Sequence, residues 1–158
     1  MGFTLRKPLA LIASAAMVSL LPAADSVAAT PAPRAKAPAL YCLANAWGTP
    51  DISSAACDTD EPGQRWTVSG NQIALTDAPG YCLANTWGTP DISTKPCDPA
   101  DQGQYWDVSG QQISLNFAPG YCLANAWGTP DISTAPCDTN DPGQHWVVFK
   151  NQISLALV

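Results

Sequence analysis

The chain repeats one sequence unit three times without insertion. The segment Tyr41–Ser53 returns as Tyr81–Ser93 and again as Tyr121–Ser133, a period of 40 residues in which Thr86 is the only substitution. A unit this short cannot bury a core alone, so neighbouring units must pack on one another. The sequence therefore predicts three equivalent repeats with the bounds 41–80, 81–120 and 121–158.

Each repeat carries β-strand signals only. Gln-x-Trp-x-Val and Ile-x-Leu alternate with a period of two, Ser69–Asn71 is typical of a turn, and Ala78–Gly80 is expected to break the chain. The 11 glycines and 15 prolines of the whole chain also disfavour long helices. We expect four short strands per repeat, in the first near residues 41–45, 54–57, 64–68 and 72–75.

The first and third repeats do not differ from the second in the way that capping units would. An open solenoid needs atypical end units to shield its apolar ends, yet the core positions are the same in all three repeats. The repeats must therefore cover one another in a closed ring, and a propeller ordinarily needs at least about four blades. The predicted fold is all-β, a β-trefoil of about twelve short strands, with the ring open after Val158.

Six cysteines recur in phase with the repeats. A small secreted chain of this kind uses them for disulfides, and the absence of a Cys-x-x-Cys pair disfavours zinc. Of the 15 possible pairings, three preserve threefold symmetry, and one of these stays local with one disulfide per repeat. The local pairing joins Cys42 to Cys57, Cys82 to Cys97 and Cys122 to Cys137.

The N-terminal segment has the features of a secretory signal. Residues 1–29 combine Arg6 and Lys7, an apolar stretch of about 13 residues and a small-residue end, which is too short for the roughly 20 residues of a membrane anchor. Residues 30–40 form a Pro/Ala-rich leader, and residues 41–158 form the domain. The protein is predicted to be secreted, extracellular or periplasmic.

The charge of the chain excludes two classes of partner. Seven basic against 13 acidic residues give a net charge of -6. That charge repels phosphate backbones and anionic lipids, so we expect neither nucleic-acid binding nor membrane insertion.

The six tryptophans fall into two sets. Trp66, Trp106 and Trp146 lie in alternating strand patterns and are predicted to pack in the core. Two residues before each is a glutamine, which we interpret first as structural, with ligand contact as a second possibility: Gln64, Gln104 and Gln144.

The second tryptophan set precedes Gly-Thr-Pro-Asp, a sequence that turns and cannot continue a sheet. An aromatic ring on such a loop either covers the end of the core or is offered to a ligand. Aromatic, amide and carboxylate groups together suit a sugar, whose C–H face and hydroxyls they can bind. The candidates are Asn45, Trp47, Asp51, Asn85, Trp87, Asp91, Asn125, Trp127 and Asp131.

The repeats resemble the ricin-type (R-type) lectin domains, which are β-trefoils. The resemblance covers residues 41–158 and rests on Cys-Leu, the second Cys, Gln-x-Trp and Ile-x-Leu in every repeat. It implies sugar binding through an Asp, an aromatic residue and an Asn at positions that here hold Ala44, Ala55 and Gly63 in the first repeat. The segment between the two cysteines also looks shorter than is usual. The resemblance thus implies the β-trefoil fold, whereas the replaced residues indicate a pocket that is built differently from the family's.

Catalytic and metal motifs are missing from the sequence. The only histidine, His145, corresponds to Arg65 and Tyr105 in the other repeats, and the acidic loops lack the Gly and terminal Glu of an EF-hand. We therefore predict no enzymatic activity, no cofactor and no metal.

These observations converge on a secreted, non-catalytic carbohydrate-binding module with up to three equivalent sites. We expect it to be monomeric, with glycans or glycoconjugates as partners. The alternative is a protein-binding trefoil, such as a toxin-targeting subunit or a protease inhibitor, that uses the loops least alike between repeats. A third interpretation is a disulfide-hardened structural protein without a specific ligand.

Overall fold

The computed structural model describes residues 40–127 and 129–156. This part of the chain contains twelve strands and three short 3₁₀ turns. These residues belong to one compact unit. The predicted signal at 1–29 and nearly all of the 30–40 leader lie outside the described residues. The strands are β1 (Tyr41–Asn45), β2 (Ile52–Ala56), β3 (Trp66–Ser69), β4 (Gln72–Leu75), β5 (Tyr81–Asn85), β6 (Ile92–Pro96), β7 (Trp106–Ser109), β8 (Gln112–Leu115), β9 (Ala118–Asn125), β10 (Ile132–Pro136), β11 (Trp146–Phe149) and β12 (Gln152–Leu155).

The strands form three four-stranded antiparallel sheets, and each sheet crosses a repeat boundary. The last two strands of one repeat pair with the first two of the next, in the orders β3-β4-β5-β6, β10-β9-β8-β7 and β11-β12-β1-β2. The third sheet joins the end of the chain to its beginning, with Cys42 opposite Ser154. This closure confirms the predicted β-trefoil and explains why no repeat needs to act as a cap.

Two further sets of backbone hydrogen bonds join each repeat to its neighbours. The amide of each core tryptophan donates to the turn of the preceding repeat, as Trp66 does to the Asn151 carbonyl at 2.8 Å. The amides of Ser54, Thr94 and Thr134 donate to the Pro130, Pro50 and Pro90 carbonyls at 2.8–2.9 Å. Both sets are threefold, so the loops around the axis are held at equivalent positions.

The core is built from the same residues in every repeat. Trp66, Trp106 and Trp146 are each 1% exposed, which confirms their predicted packing role. The Trp66 indole Nε1 donates to the Leu43 carbonyl at 2.9 Å, so its one polar atom is satisfied inside the core. Leu43, Ile73 and their counterparts complete the cluster.

Each repeat contains its own disulfide, the local one of the three symmetric options. The bridges are Cys42–Cys57, Cys82–Cys97 and Cys122–Cys137, each with a sequence separation of 15. A loop of this length stabilises a fold by about 3 kcal/mol in the chain-entropy model. The bridge fastens the start of the first strand of each repeat to the end of the second.

The observed strands differ most from the predicted ones at three places. The second strand begins at Ile52 rather than Ser54, because Ile52 pairs with Asn45 as soon as the loop closes. The third strand begins at Trp66 rather than Gln64, since Pro62–Gln64 form a 3₁₀ turn capped by Glu61, whose carboxylate accepts from the Gly63 amide at 3.3 Å. At 118–120, the Ala-Pro-Gly link continues into strand β9, because a tight turn pairs Leu115 with Ala118.

One of the three equivalent hairpin turns holds a strained residue. Gly70 and Gly110 adopt φ 58° and 60° as first residues of two-residue turns, and Lys150 takes the same place with φ 54°. Within each of these three turns only the first residue has a positive φ, an arrangement that favours glycine. Lys150→Gly is expected to raise the free energy of unfolding by about 1 kcal/mol.

Urea denaturation checks this prediction, with Gly70→Lys as the matched reciprocal variant, expected to lower the free energy of unfolding. Equal midpoints for Lys150→Gly and the parent chain would contradict it.

Among the residues described here, no helix is long and apolar enough to cross a membrane.

Candidate functional site

Three clefts occupy equivalent positions around the ring, each between one repeat and the next. We call them clefts 1, 2 and 3; their volumes are about 490, 470 and 400 Å³. In each, the loop tryptophan of one repeat faces the first tyrosine of the following repeat. Cleft 1 pairs Trp47 with Tyr81, cleft 2 pairs Trp87 with Tyr121, and cleft 3 pairs Trp127 with Tyr41.

The loop that carries the tryptophan is tightly closed. In the first repeat the Ala46 amide donates to the Asp51 carbonyl at 3.0 Å, and the amide and hydroxyl of Thr49 both donate to the Ala46 carbonyl at 2.8 and 2.9 Å. Gly48 has φ 86°, a conformation that other residues rarely adopt. The backbone is thus fixed while the Trp47 side chain stays 51% exposed, so this ring does not serve as a buried plug.

A buried asparagine ties each loop to the neighbouring repeat. Asn45 Nδ2 donates to the Thr49 carbonyl at 2.8 Å, the Asp51 carbonyl at 3.1 Å and Thr94 Oγ1 at 3.2 Å. The other two repeats reproduce this pattern at Asn85 and Asn125, with Thr134 and Ser54 as the hydroxyl partners. Asn45, Asn85 and Asn125 also line clefts 1, 2 and 3, so the residues that order the loops border the clefts themselves.

The floor of each cleft is apolar. Leu75, Leu115 and Leu155 line clefts 1, 2 and 3 respectively. These leucines belong to the core and are only 3–6% exposed. Each cleft therefore combines an apolar base, two aromatic walls and a few polar atoms, the composition of a small-molecule site.

The predicted aspartates contribute backbone rather than side chain to this arrangement. Asp51, Asp91 and Asp131 do not line the clefts, and each is bridged through its backbone to a serine of a neighbouring repeat. Their exposed carboxylates lie beside the loop. Their role as sugar contacts stays a prediction.

The predicted glutamines lie away from the clefts and hold another loop. Gln64 Nε2 donates to the Ala56 carbonyl at 2.9 Å, and its Oε1 accepts from the Asp58 amide at 2.8 Å. The residue is 3% exposed. Gln104 and Gln144 make the same pair of bonds, which supports the structural interpretation first given to all three. Ligand contact by these glutamines stays a prediction.

The tyrosine wall is not among the site residues predicted from the sequence. Tyr41, Tyr81 and Tyr121 are 50–51% exposed although each precedes a buried cysteine. The first strand gives no alternating signal for this ring, since the tyrosine is exposed and the four residues after it are all buried. Local sequence also does not indicate which loop the ring faces, because the partner tryptophan belongs to the preceding repeat.

Residues 40–127 and 129–156 contain no candidate metal site. No three His, Cys, Asp or Glu side chains there come close enough to hold an ion. His145 lies outside the clefts, with its Nε2 2.9 Å from the Thr139 carbonyl.

Comparison with known proteins identifies relatives by sequence pattern and by fold. The family model described as ricin-type beta-trefoil lectin domain matches residues 35–152. A search of curated proteins found no match.

Two solved structures are similar in fold. A non-toxic homologue of type II RIPs from Momordica charantia (bitter gourd), in complex with α-methyl-D-galactoside, has a TM-score of 0.61 and 19% identity, covering 70% of this chain. This chain spans only 45% of that protein. The C-half of the earthworm R-type lectin, in complex with GalNAc, has a TM-score of 0.51 and 17% identity, with coverage of 74% and 99%. At these identities the likeness demonstrates the fold alone.

Proposed function

The chain belongs to the family of ricin-type β-trefoil lectin domains, and from this membership and its three clefts we propose that it binds carbohydrate without catalysis, one sugar unit per cleft. The observation that carries the proposal is the pairing of an exposed tryptophan with an exposed tyrosine across each cleft. Both solved relatives named above contain bound sugars of the galactose type.

The clefts have the chemistry that a sugar ring requires. A pyranose presents C–H bonds on one face, which an aromatic ring covers, and hydroxyls at its edge, which need polar partners. Trp47 supplies the ring in cleft 1, and Asn45 and Tyr81, which line the same cleft, supply polar groups. The loop is already ordered by internal hydrogen bonds, so little conformational entropy is lost when a ligand binds.

The family's usual pocket lacks its sugar-contacting residues here, which supports a site between the repeats. Ala44 and Ala55 replace the Asp and the aromatic residue, and Gly63 replaces the Asn. A Cβ atom on Gly63 would collide with the main-chain oxygen of Asn45. A family-type asparagine is therefore excluded by the backbone, and galactose specificity does not transfer with the fold.

We further propose that the protein acts outside the cell, extracellular or periplasmic, as a monomer. Three disulfides in a domain of this size favour an oxidising compartment. Three weak sites on one rigid body gain roughly 10²–10⁴ in avidity on a dense glycan surface, so each cleft can be weak.

Glycan-array binding of residues 30–158, followed by tryptophan fluorescence titration with the sugars that bind, tests the proposal. We expect binding at high glycan density and a change in emission as a ligand covers Trp47, Trp87 or Trp127. Absence of binding to every dense glycan, together with capture of a protein partner that free sugar does not displace, would favour the protein-binding alternative.

A further inference from the structure

The three clefts share their loops but differ at one wall. Residue 117 is a phenylalanine whose ring stacks on Trp87 in cleft 2, with centroids 4.1 Å apart and planes tilted by 27°. The equivalent residue of the first repeat is Asp77, whose carboxylate accepts from Arg65 Nε at 2.6 Å and does not line cleft 1. The equivalent residue of the third repeat, Leu157, lies outside the described part of the chain.

Phe117 does not fill the cleft that it borders. Cleft 2 retains about 470 Å³, close to the 490 Å³ of cleft 1, and Trp87 remains 64% exposed. One face of the indole is therefore braced by Phe117 while the rest of the side chain stays accessible.

A second depression, which we call the repeat-2 depression, adjoins cleft 2 across Phe117. It has a volume of about 690 Å³ and is lined by Pro99, Ala100, Gln102, Tyr105, Asn116 and Phe117. The Tyr105 hydroxyl donates to the Pro99 carbonyl at 3.0 Å, which attaches its ring to the loop. The Asn116 amide donates to the Tyr105 carbonyl at 2.9 Å, so Tyr105 is adjacent to the strand end that leads to Phe117.

The surface from Trp87 over Phe117 to Tyr105 is lined by aromatic, amide, hydroxyl and small apolar groups, and none of its lining residues is an Asp, Glu, Lys, Arg or His. The same region of the first repeat carries the Arg65–Asp77 ion pair. A neutral chain of sugar units offers alternating C–H faces and hydroxyls that match such a surface.

Since Phe117 lines both the cleft and the depression, we propose that the second repeat holds an extended site for a neutral oligosaccharide of two or more units, whereas cleft 1 holds a single unit. One unit occupies cleft 2 against Trp87, and the next lies over Phe117 and Tyr105 in the repeat-2 depression. This inference rests on the proposed function of the clefts and assigns Phe117 and Tyr105 as determinants of ligand length.

The test uses the full domain with cleft 2 as the only remaining tryptophan-bearing cleft, the Trp47→Ala/Trp127→Ala variant. Oligomers of galactose and of glucose, from one to four units, are titrated by calorimetry. In this background we expect the Kd to fall about 3- to 10-fold from the monosaccharide to the trisaccharide of the sugar that binds.

The matched control replaces Tyr105 and Phe117 by the residues of the first repeat, Tyr105→Arg with Phe117→Asp. We expect the length dependence to disappear while monosaccharide affinity changes less. The reciprocal variant, Arg65→Tyr with Asp77→Phe and with Trp47 retained as the only cleft tryptophan, is expected to gain length dependence at cleft 1. Both substitution pairs already occur in this fold, which favours correct folding.

The outcomes separate this inference from the function on which it rests. If no sugar of any length binds the parent domain, both proposals are wrong. If monosaccharides bind but the Kd is independent of chain length, or if Tyr105→Arg with Phe117→Asp leaves the length dependence intact, only the extended site is wrong. Tighter monosaccharide binding after Phe117→Asp alone would identify Phe117 as a cover over Trp87 and would also overturn the extended site.

Discussion

Replacing Trp47, Trp87 and Trp127 together by alanine is expected to abolish binding to a dense glycan surface while the domain stays folded. These rings are 51%, 64% and 63% exposed, so their removal takes little surface out of the core. We expect the free energy of unfolding to fall by at most about 1 kcal/mol per site. Binding should fall by the full avidity of roughly 10²–10⁴ plus the loss of each single-site contact. Surface plasmon resonance on immobilised glycan measures the loss.

Two controls make the result specific. Trp47→Phe, Trp87→Phe and Trp127→Phe together keep an aromatic face and should retain part of the binding. Single alanine variants should lower avidity stepwise, because each removes one of three linked contacts. Full binding by a folded triple alanine variant would show that the clefts are not the sugar sites, whatever the domain binds.

Gly63→Ala is expected to lower the free energy of unfolding by about 3 kcal/mol or more. The added Cβ would meet the main-chain oxygen of Asn45, and backbone cannot move aside as a flexible side chain can. Asn45 also anchors the Trp47 loop, so the displacement should weaken cleft 1 more than clefts 2 and 3. Thermal unfolding should show a melting temperature lower by about 10 °C or more.

Gly80→Ala is the matched control for this prediction. Nothing lies within 4 Å of a Cβ atom built on Gly80, and its φ is not positive. The same substitution there should leave stability unchanged or raise it slightly, since alanine restricts the unfolded chain. Equal melting temperatures for the two variants would show that the backbone at Gly63 yields, and that the close approach to Asn45 is not a constraint.

Much of the fold could be predicted from the sequence because the signals recur in phase. Alternation around Trp66 indicated a buried strand, and the tryptophan is 1% exposed. Uniform repeats without caps indicated a closed ring, which the pairing of Cys42 with Ser154 confirms. Strand ends were less predictable: Gln64 continues the alternating pattern, yet the cap at Glu61 and the turn at Pro62 draw it into a 3₁₀ turn.

Only part of the candidate site could be predicted from the sequence. The tryptophan and asparagine of each loop were identified, because a ring next to Gly-Thr-Pro-Asp cannot continue a sheet. The aspartates were predicted as sugar contacts, and this stays a prediction; the structure adds that the Asp51 backbone carbonyl accepts from Asn45 Nδ2 and the Ala46 amide. Local sequence does not distinguish a residue that contributes its carbonyl from one that contributes its side chain.

The sequence by itself determined the repeat, the strand pattern, the core tryptophans and the phase of the cysteines, because each depends on periodicity or spacing within a single unit. Only the tertiary structure decided that every cleft is shared by two repeats, with Tyr41 of the first repeat facing Trp127 of the third. It also decided that Phe117 stacks on Trp87. Such contacts depend on how the ring closes, and closure follows from the packing of all three repeats together.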